Sequence, residues 1–246
     1  NRDFGLTISM GRYLRDRSRE IQLARGRMKQ PNEKANEHEI IAMRALLGKL
    51  NWSVREGMPQ GAGDASLLSA TMPNLLVKDI AEANAALRRL LQNDADITIC
   101  PIPLENLRLL TFIDSSLGNR PDDGTSQNAH MICAVDKRLM DGEESDVSVL
   151  TYKSHKMHRA ASATLMVAPN AMSEGLAETE WVACWFGLAK DLKYSMRNRD
   201  TLNREFEVQT IMSENDNGLH AVVTDAKSLF DNLKREQYSK TEKRAA

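Results

Sequence analysis

Apolar residues recur every third or fourth position in "HEIIAMRALLGKLNWSVRE", with Ile40, Met43, Leu47, Leu50 and Val54 on one side. That spacing predicts an amphipathic helix. A second such stripe runs through "LVKDIAEANAALRRLLQND" as Val77, Ile80, Ala81, Asn84, Leu87 and Leu90. "TISMGRYLRDRSREIQLARGRM" sets Ile8, Leu14, Ile21 and Leu23 among arginines and also reads as helix. "KQPNEKANEHE" is a polar break, "GMPQGAGD" a loop by its Gly and Pro content, and "ASLLSATM" a short helix before Pro73. The first hundred residues are therefore expected to be mainly helical. "ICPIPLENL" is a proline-rich joint, and it divides the chain into a helical unit over 1–103 and a second unit over 104–246.

Beyond the joint the period changes from helical to alternating. "LRLLTFID" (107–114) reads as a strand with Leu110, Phe112 and Asp114 on one side. "NAHMICAVDK" (128–137) and "SDVSVLTYKSHK" (145–156) read as second and third strands, separated by the turn clusters "GNRPDDGTSQ" and "DGEE". A long helix follows over 162–192, with Met172, Leu176, Trp181 or Val182, and Phe186 on its buried side. "HAVVTDA" is a fourth strand and "AKSLFDNL" another helix. Three strands joined by short turns pair antiparallel, and a fourth returning through a helix makes the sheet mixed. The expected fold class is α/β.

Composition narrows the class only slightly. The 246 residues are 41% hydrophobic and 27% charged, with a net charge of -1, as in ordinary globular domains. Residues 1–30 nevertheless carry eight Lys or Arg against three Asp or Glu. Such a local basic run either binds phosphate or is a solvated helix face. Cys100, Cys133 and Cys184 are far apart in apolar stretches, which argues against zinc and fits reduced, buried thiols in an intracellular protein. No apolar run has the length of a membrane span. Trp52, Trp181 and Trp185 lie among apolar neighbours and are expected in the core rather than stacked on bases.

Candidate chemistry centres on two carboxylates at strand ends, Asp114 in "FIDSS" and Asp225 in "VVTDA". If their strands are neighbours, two like charges converge and call for a divalent cation. Otherwise each caps the segment after it, Asp225 as a helix N-cap and Asp114 in a turn. In the second case the two lie far apart. "KSHKMHR" adds Lys153, His155, Lys156, His158 and Arg159 nearby, suited either to a phosphate backbone or to a solvated loop. His155 and His158 lack partners at metal-ligand spacing.

In order and spacing, "FIDSS", "SQNAH", "TYKSHKMHR", "SATLMVAPNAMSEGLAETEW" and "VVTDAKS" resemble the ribonuclease H domain of copia-type retrotransposon polyproteins. Upstream, "EHEIIAMRALLGKLNWSVRE", "ASLLSATMPN" and "EANAALRRL" resemble the segment that links reverse transcriptase to that domain. The resemblance implies a ribonuclease H-like mixed sheet and hydrolysis of RNA in an RNA–DNA hybrid by two Mg²⁺ (or Mn²⁺) ions held by four acids. It carries the first acid to Asp114 and the third to Asp225. The second, a helix Glu in the family, falls on Ala168, followed by Pro169, where the helix is expected to begin or kink. Glu174, Glu178 and Glu180 lie too far along the helix to replace it. The fourth acid would lie past Ala246, so the chain reads as a piece of a longer polyprotein. The Tyr-x-Asp-Asp hairpin of the polymerase is absent, and the family's "RPD" reads "MPQ" at Met58–Gln60. These departures imply metal held weakly if at all, and catalysis that is lost or severely weakened. The resemblance also implies a place inside the cell, in cytoplasm, virus-like particle or nucleus. The alternative is a non-catalytic nucleic-acid-binding or scaffold module.

Overall fold

The computed structural model describes residues 5–121, 123–157, 164–190 and 220–233. In chain order these form β1 (Leu6–Ile8), α1 (Gly11–Arg17), α2 (Glu37–Gly57), α3 (Ala62–Thr71), α4 (Val77–Gln92), β2 (Ile97–Ile99), β3 (Leu107–Ser116), β4 (Gln127–Asp136), β5 (Val147–Lys156), α5 (Thr164–Lys190), β6 (His220–Thr224) and α6 (Lys227–Leu233). The fold is α/β, and its main sheet is mixed.

The N-terminal helices pack around one apolar core. Met43, Leu47, Leu50 and Val54 of α2 meet Ile80, Leu87 and Leu90 of α4, with Leu14 of α1 and Leu68 of α3. Helix α2 starts where Asn36 and Glu39 cap each other, the Asn36 side chain accepting from the Glu39 amide at 3.0 Å and the Glu39 carboxylate from the Asn36 amide at 2.9 Å. That exchange satisfies two amides that helix geometry leaves open. Arg27 closes over the same Glu39 with two hydrogen bonds, of 2.9 and 2.7 Å.

Two expectations fail in this half. Within the basic first segment only Gly11–Arg17 is α-helical. Beyond Ser18 the chain is held by other contacts: Ile21 exchanges backbone hydrogen bonds with the Asn84 side chain at 2.8 and 3.0 Å. A tertiary partner there replaces the helical one. The Gly-containing loop is also shorter than expected, since Pro59–Gly61 is a single 3-10 turn and α3 begins at Ala62. Strands β1 and β2 pair antiparallel, Leu6 with Ile99, a contact no local pattern announces.

The main sheet has the order β5-β4-β3-β6. Strands β3, β4 and β5 form an antiparallel meander, and β6 joins β3 in parallel, with Leu109 opposite His220 and Ile113 opposite Thr224. The expected order of three strands, helix, strand, helix is the order observed. One face carries α5: Leu107 and Leu109 pack on Ala183, and Ile113 and Val222 on Ala168. Gly175 permits the close approach, because a Cβ there would lie 2.7 Å from Cγ2 of Ile113. Below it the buried hydroxyls of Thr111 and Thr179 meet at 2.5 Å. Pro169 lies within α5, which begins before it, at Thr164. Its missing N–H leaves the Leu165 carbonyl without a helical donor.

On the opposite face Leu110, Cys133, Val135 and Ala221 form a second apolar layer. Burial pushes the Cys133 thiol up to about 11, so it is inert. The helical unit reaches the same face at strands β4 and β5, where the Tyr152 hydroxyl donates to the Val54 carbonyl and Gln127 donates to Ser66 at 2.8 Å.

The tryptophans are not core residues. Trp52, Trp181 and Trp185 are 52%, 51% and 57% exposed. The residue type suggested burial, but helical phase decides it. Trp52 lies opposite the Met43–Leu50 stripe, and Trp181 and Trp185 sit a turn apart on the outer side of α5, edge to face at 5.8 Å. Among the described residues no helix is long and apolar enough to cross a membrane.

Candidate functional site

Alternation along β3 fixes where its acid points. Leu107, Leu109, Thr111 and Ile113 face α5, so Leu110, Phe112 and Asp114 face away. Asp114 is the exposed last member of that second set. Asp225 is exposed directly after β6. Because Ile113 pairs with Thr224, the two acids follow a paired position on adjacent strands, whose spacing is about 5 Å. Both line one groove of about 630 Å³ between the sheet and α3, with Ser115, Thr224 and Gly63 among its walls. The two acids are thus neighbours, not distant caps.

Their local bonding also bears on the capping alternative. Asp114 Oδ1 accepts from the amide of Ser115 at 2.7 Å, a one-residue contact that leaves its other oxygen open. At the start of α6 it is the Thr224 hydroxyl that accepts from the Ala226 amide, at 3.1 Å, and the Asp225 backbone carbonyl that accepts from Lys227, at 2.9 Å. Among the described residues no hydrogen bond reaches the Asp225 carboxylate.

Ala168 is buried against Ile113, Val222 and Leu229, with Ala226 at the margin of the cluster. Ile113 precedes one acid and Ala226 follows the other. The position that the resemblance assigns to the helix acid is therefore apolar and lies on the α5 face, whereas Asp114 points to the opposite face. Among the described residues no three His, Cys, Asp or Glu side chains converge as a metal site would require. Two carboxylates alone hold Mg²⁺ poorly unless substrate phosphates complete the shell. The donors present do not fit a two-metal centre.

The basic cluster is divided by the sheet. Tyr152, Ser154 and Lys156 face the helical unit: Ser154 accepts from Gln127 at 2.9 Å, and Lys156 pairs with Asp123, holding that carboxyl below its usual range. His155 faces α5 instead, with its Nε2 2.8 Å from Glu174, and Lys153 shares that side. Lys153, His155 and Lys156 therefore do not form one patch. Arg159 and His158 lie outside the described residues.

Sequence reasoning missed the polar group under α5. Asn128 donates to Glu174 at 3.2 Å, beside the Glu174–His155 pair. His130 is buried there, its ring 6.1 Å from that of His155. Burial lowers its pKa against the opposing charge of Glu178. The cross-strand row Asn128–His155 was the available signal, but it needs the β4–β5 register, which a bulge near Ile132 shifts. Neither Glu174, Glu178 nor Glu180 reaches the groove of Asp114 and Asp225. No protein-family model matches the chain, and no curated protein matches it.

Proposed function

We propose that the chain is a ribonuclease H-like module of a copia-type retrotransposon polyprotein in which hydrolysis of the RNA strand of RNA–DNA hybrids has been lost. The observation that carries this reading is the parallel pairing of β3 with β6, which brings Asp114 and Asp225 together at the mouth of one groove. The strand order and the helix crossing the opposite face support it. Ala168 supports the loss: the position that the resemblance gives to the helix acid is a buried alanine and offers no oxygen. Two carboxylates alone leave a divalent ion dependent on substrate phosphates, and no catalytic step is assigned to them.

The lack of a third converging donor among the described residues favours one second reading, a nucleic-acid-binding module of the same fold without catalysis. Cleavage of a labelled RNA–DNA hybrid, in Mg²⁺ and then Mn²⁺, separates the readings. The chain is compared with an Ala168→Glu variant, each also carrying an added C-terminal helix with one further acid. The proposal expects cutting by the Glu variant only. Cutting by both would mean another group replaces the helix acid. Hybrid binding without cutting by either favours the second reading, and no binding by either refutes both.

A further inference from the structure

The outer side of α2 is apolar over three turns. Ile41, Ala45, Gly48 and Trp52 follow the 4-3-4 spacing that keeps residues on one helix face. All four are exposed, Ile41 at 56% and Trp52 at 52%. The buried stripe of the same helix lies on the opposite side, so among the described residues this second stripe packs against nothing.

Gly48 is the informative member. Glycine inside a helix weakens it, and a packed helix retains one where a side chain would collide. Gly175 in α5 meets that condition, since a Cβ would lie within 3 Å of Ile113. At Gly48 an added Cβ meets nothing within 4 Å. The space it leaves opens outward, flanked by Ala45, where another backbone could approach closely.

The charges beside the stripe are of one kind along its middle. Arg44 flanks one edge and Lys49 the other, with Glu37 at one end and Arg55 and Glu56 at the other. None of these three cations forms an ion pair among the described residues, whereas Arg15, Arg27, Arg88, Arg89 and Arg138 each do. We infer that this face of α2 docks an amphipathic helix of a partner protein, whose apolar seam is flanked by Asp or Glu. Helix pairing through anchors at these spacings is a common recognition mode. A second copy of the chain fits less well, because two-fold antiparallel pairing about this stripe lays the Arg44 edge of one copy along the same edge of the other. Nucleic acid also fits less well, since Ile41, Ala45 and Gly48 neither stack nor donate hydrogen bonds.

The test uses a fluorescein-labelled synthetic helix of about twenty residues with a leucine seam and flanking glutamates, spanning some 30 Å. Its lysine counterpart and a labelled oligouridylate serve as further probes of the full chain, read by anisotropy. The acidic peptide is expected to bind, more weakly at high salt. Trp52→Ala and Gly48→Glu should each weaken it at least about tenfold, while Trp181→Ala leaves it unchanged. Arg44→Glu with Arg55→Glu should transfer binding to the lysine peptide. Unaltered circular dichroism separates lost docking from lost folding, and Gly48→Glu should if anything steady the helix. Failure of the acidic peptide to bind overturns the inference, as does equal binding of the lysine peptide or indifference to Gly48→Glu. Oligouridylate binding abolished by the same variants would assign the face to nucleic acid. Sedimentation as a dimer abolished by Gly48→Glu would assign it to self-association.

Discussion

Two glycines in two helices should respond oppositely to one substitution. At Gly175 the new methyl would lie 2.7 Å from Cγ2 of Ile113 and 3.4 Å from Cγ2 of Thr111. Both neighbours are β-branched and held in the buried strand β3, so neither rotates away cheaply. Helix α5 must lift by a good part of an ångström, which loosens the buried contact of Thr111 with Thr179. Overpacking of this kind costs about 1–3 kcal/mol, against a gain of roughly 1 kcal/mol in helix propensity. Loss of the hydroxyl contact adds about 1 kcal/mol. Gly175→Ala should therefore destabilise by about 1–3 kcal/mol. At Gly48 the methyl meets nothing, and only the propensity gain of up to about 1 kcal/mol remains. Urea unfolding of both variants, with a common m-value, measures the contrast. Equal shifts of the same sign would mean that α5 does not lie against β3 as closely as Gly175 implies, and the arrangement around Ala168 would fall with it.

Asn36→Ala removes half of the reciprocal cap on α2 and should cost about 1 kcal/mol, visible as a lower urea midpoint. His220 is fully buried, and burial lowers its pKa to about 4. A folded-state pKa below the unfolded one means that the unfolded chain binds the extra proton. Stability is then complete above about pH 6.5 and declines as pH falls toward about 4. The size is up to about 3 kcal/mol, and His220→Gln should flatten that limb of the unfolding profile. Asp114→Asn with Asp225→Asn should abolish any rise in melting temperature given by Mg²⁺ with hybrid, while leaving the melting temperature without ligand unchanged or higher, because like charges are removed.

Local pattern carried the strands and the long helix, but it left the adjacency of the two acids open, since that depends on which strands pair. Period-two alternation in "LRLLTFID" already set Asp114 apart from Ile113, and connection lengths gave an antiparallel trio in a mixed sheet, though not the place of β6 beside β3. What stayed hidden depends on partners remote in sequence. Ser18 to Gly26 leaves the helix because Asn84 supplies hydrogen bonds across the unit. The β1–β2 pair joins segments ninety residues apart. The tryptophans were misjudged because residue type was weighed without helical phase. The division of Lys153, His155 and Lys156 between two faces was available from alternation alone, once the run is read as strand to its end.

The pairing of β3 with β6 also sets an order of events. Strands β3, β4 and β5 are joined by connections of ten residues each and close at far less cost in chain entropy than the pairing of β3 with β6. Leu109 meets His220 only after α5 and all that follows it have been made. During synthesis β3 therefore stands as an open edge, with its hydrogen-bonding groups unpaired on one side. The two carboxylates come together at the last closure of the sheet, so whatever ligand bridges them would reward the slowest step of folding rather than an early one.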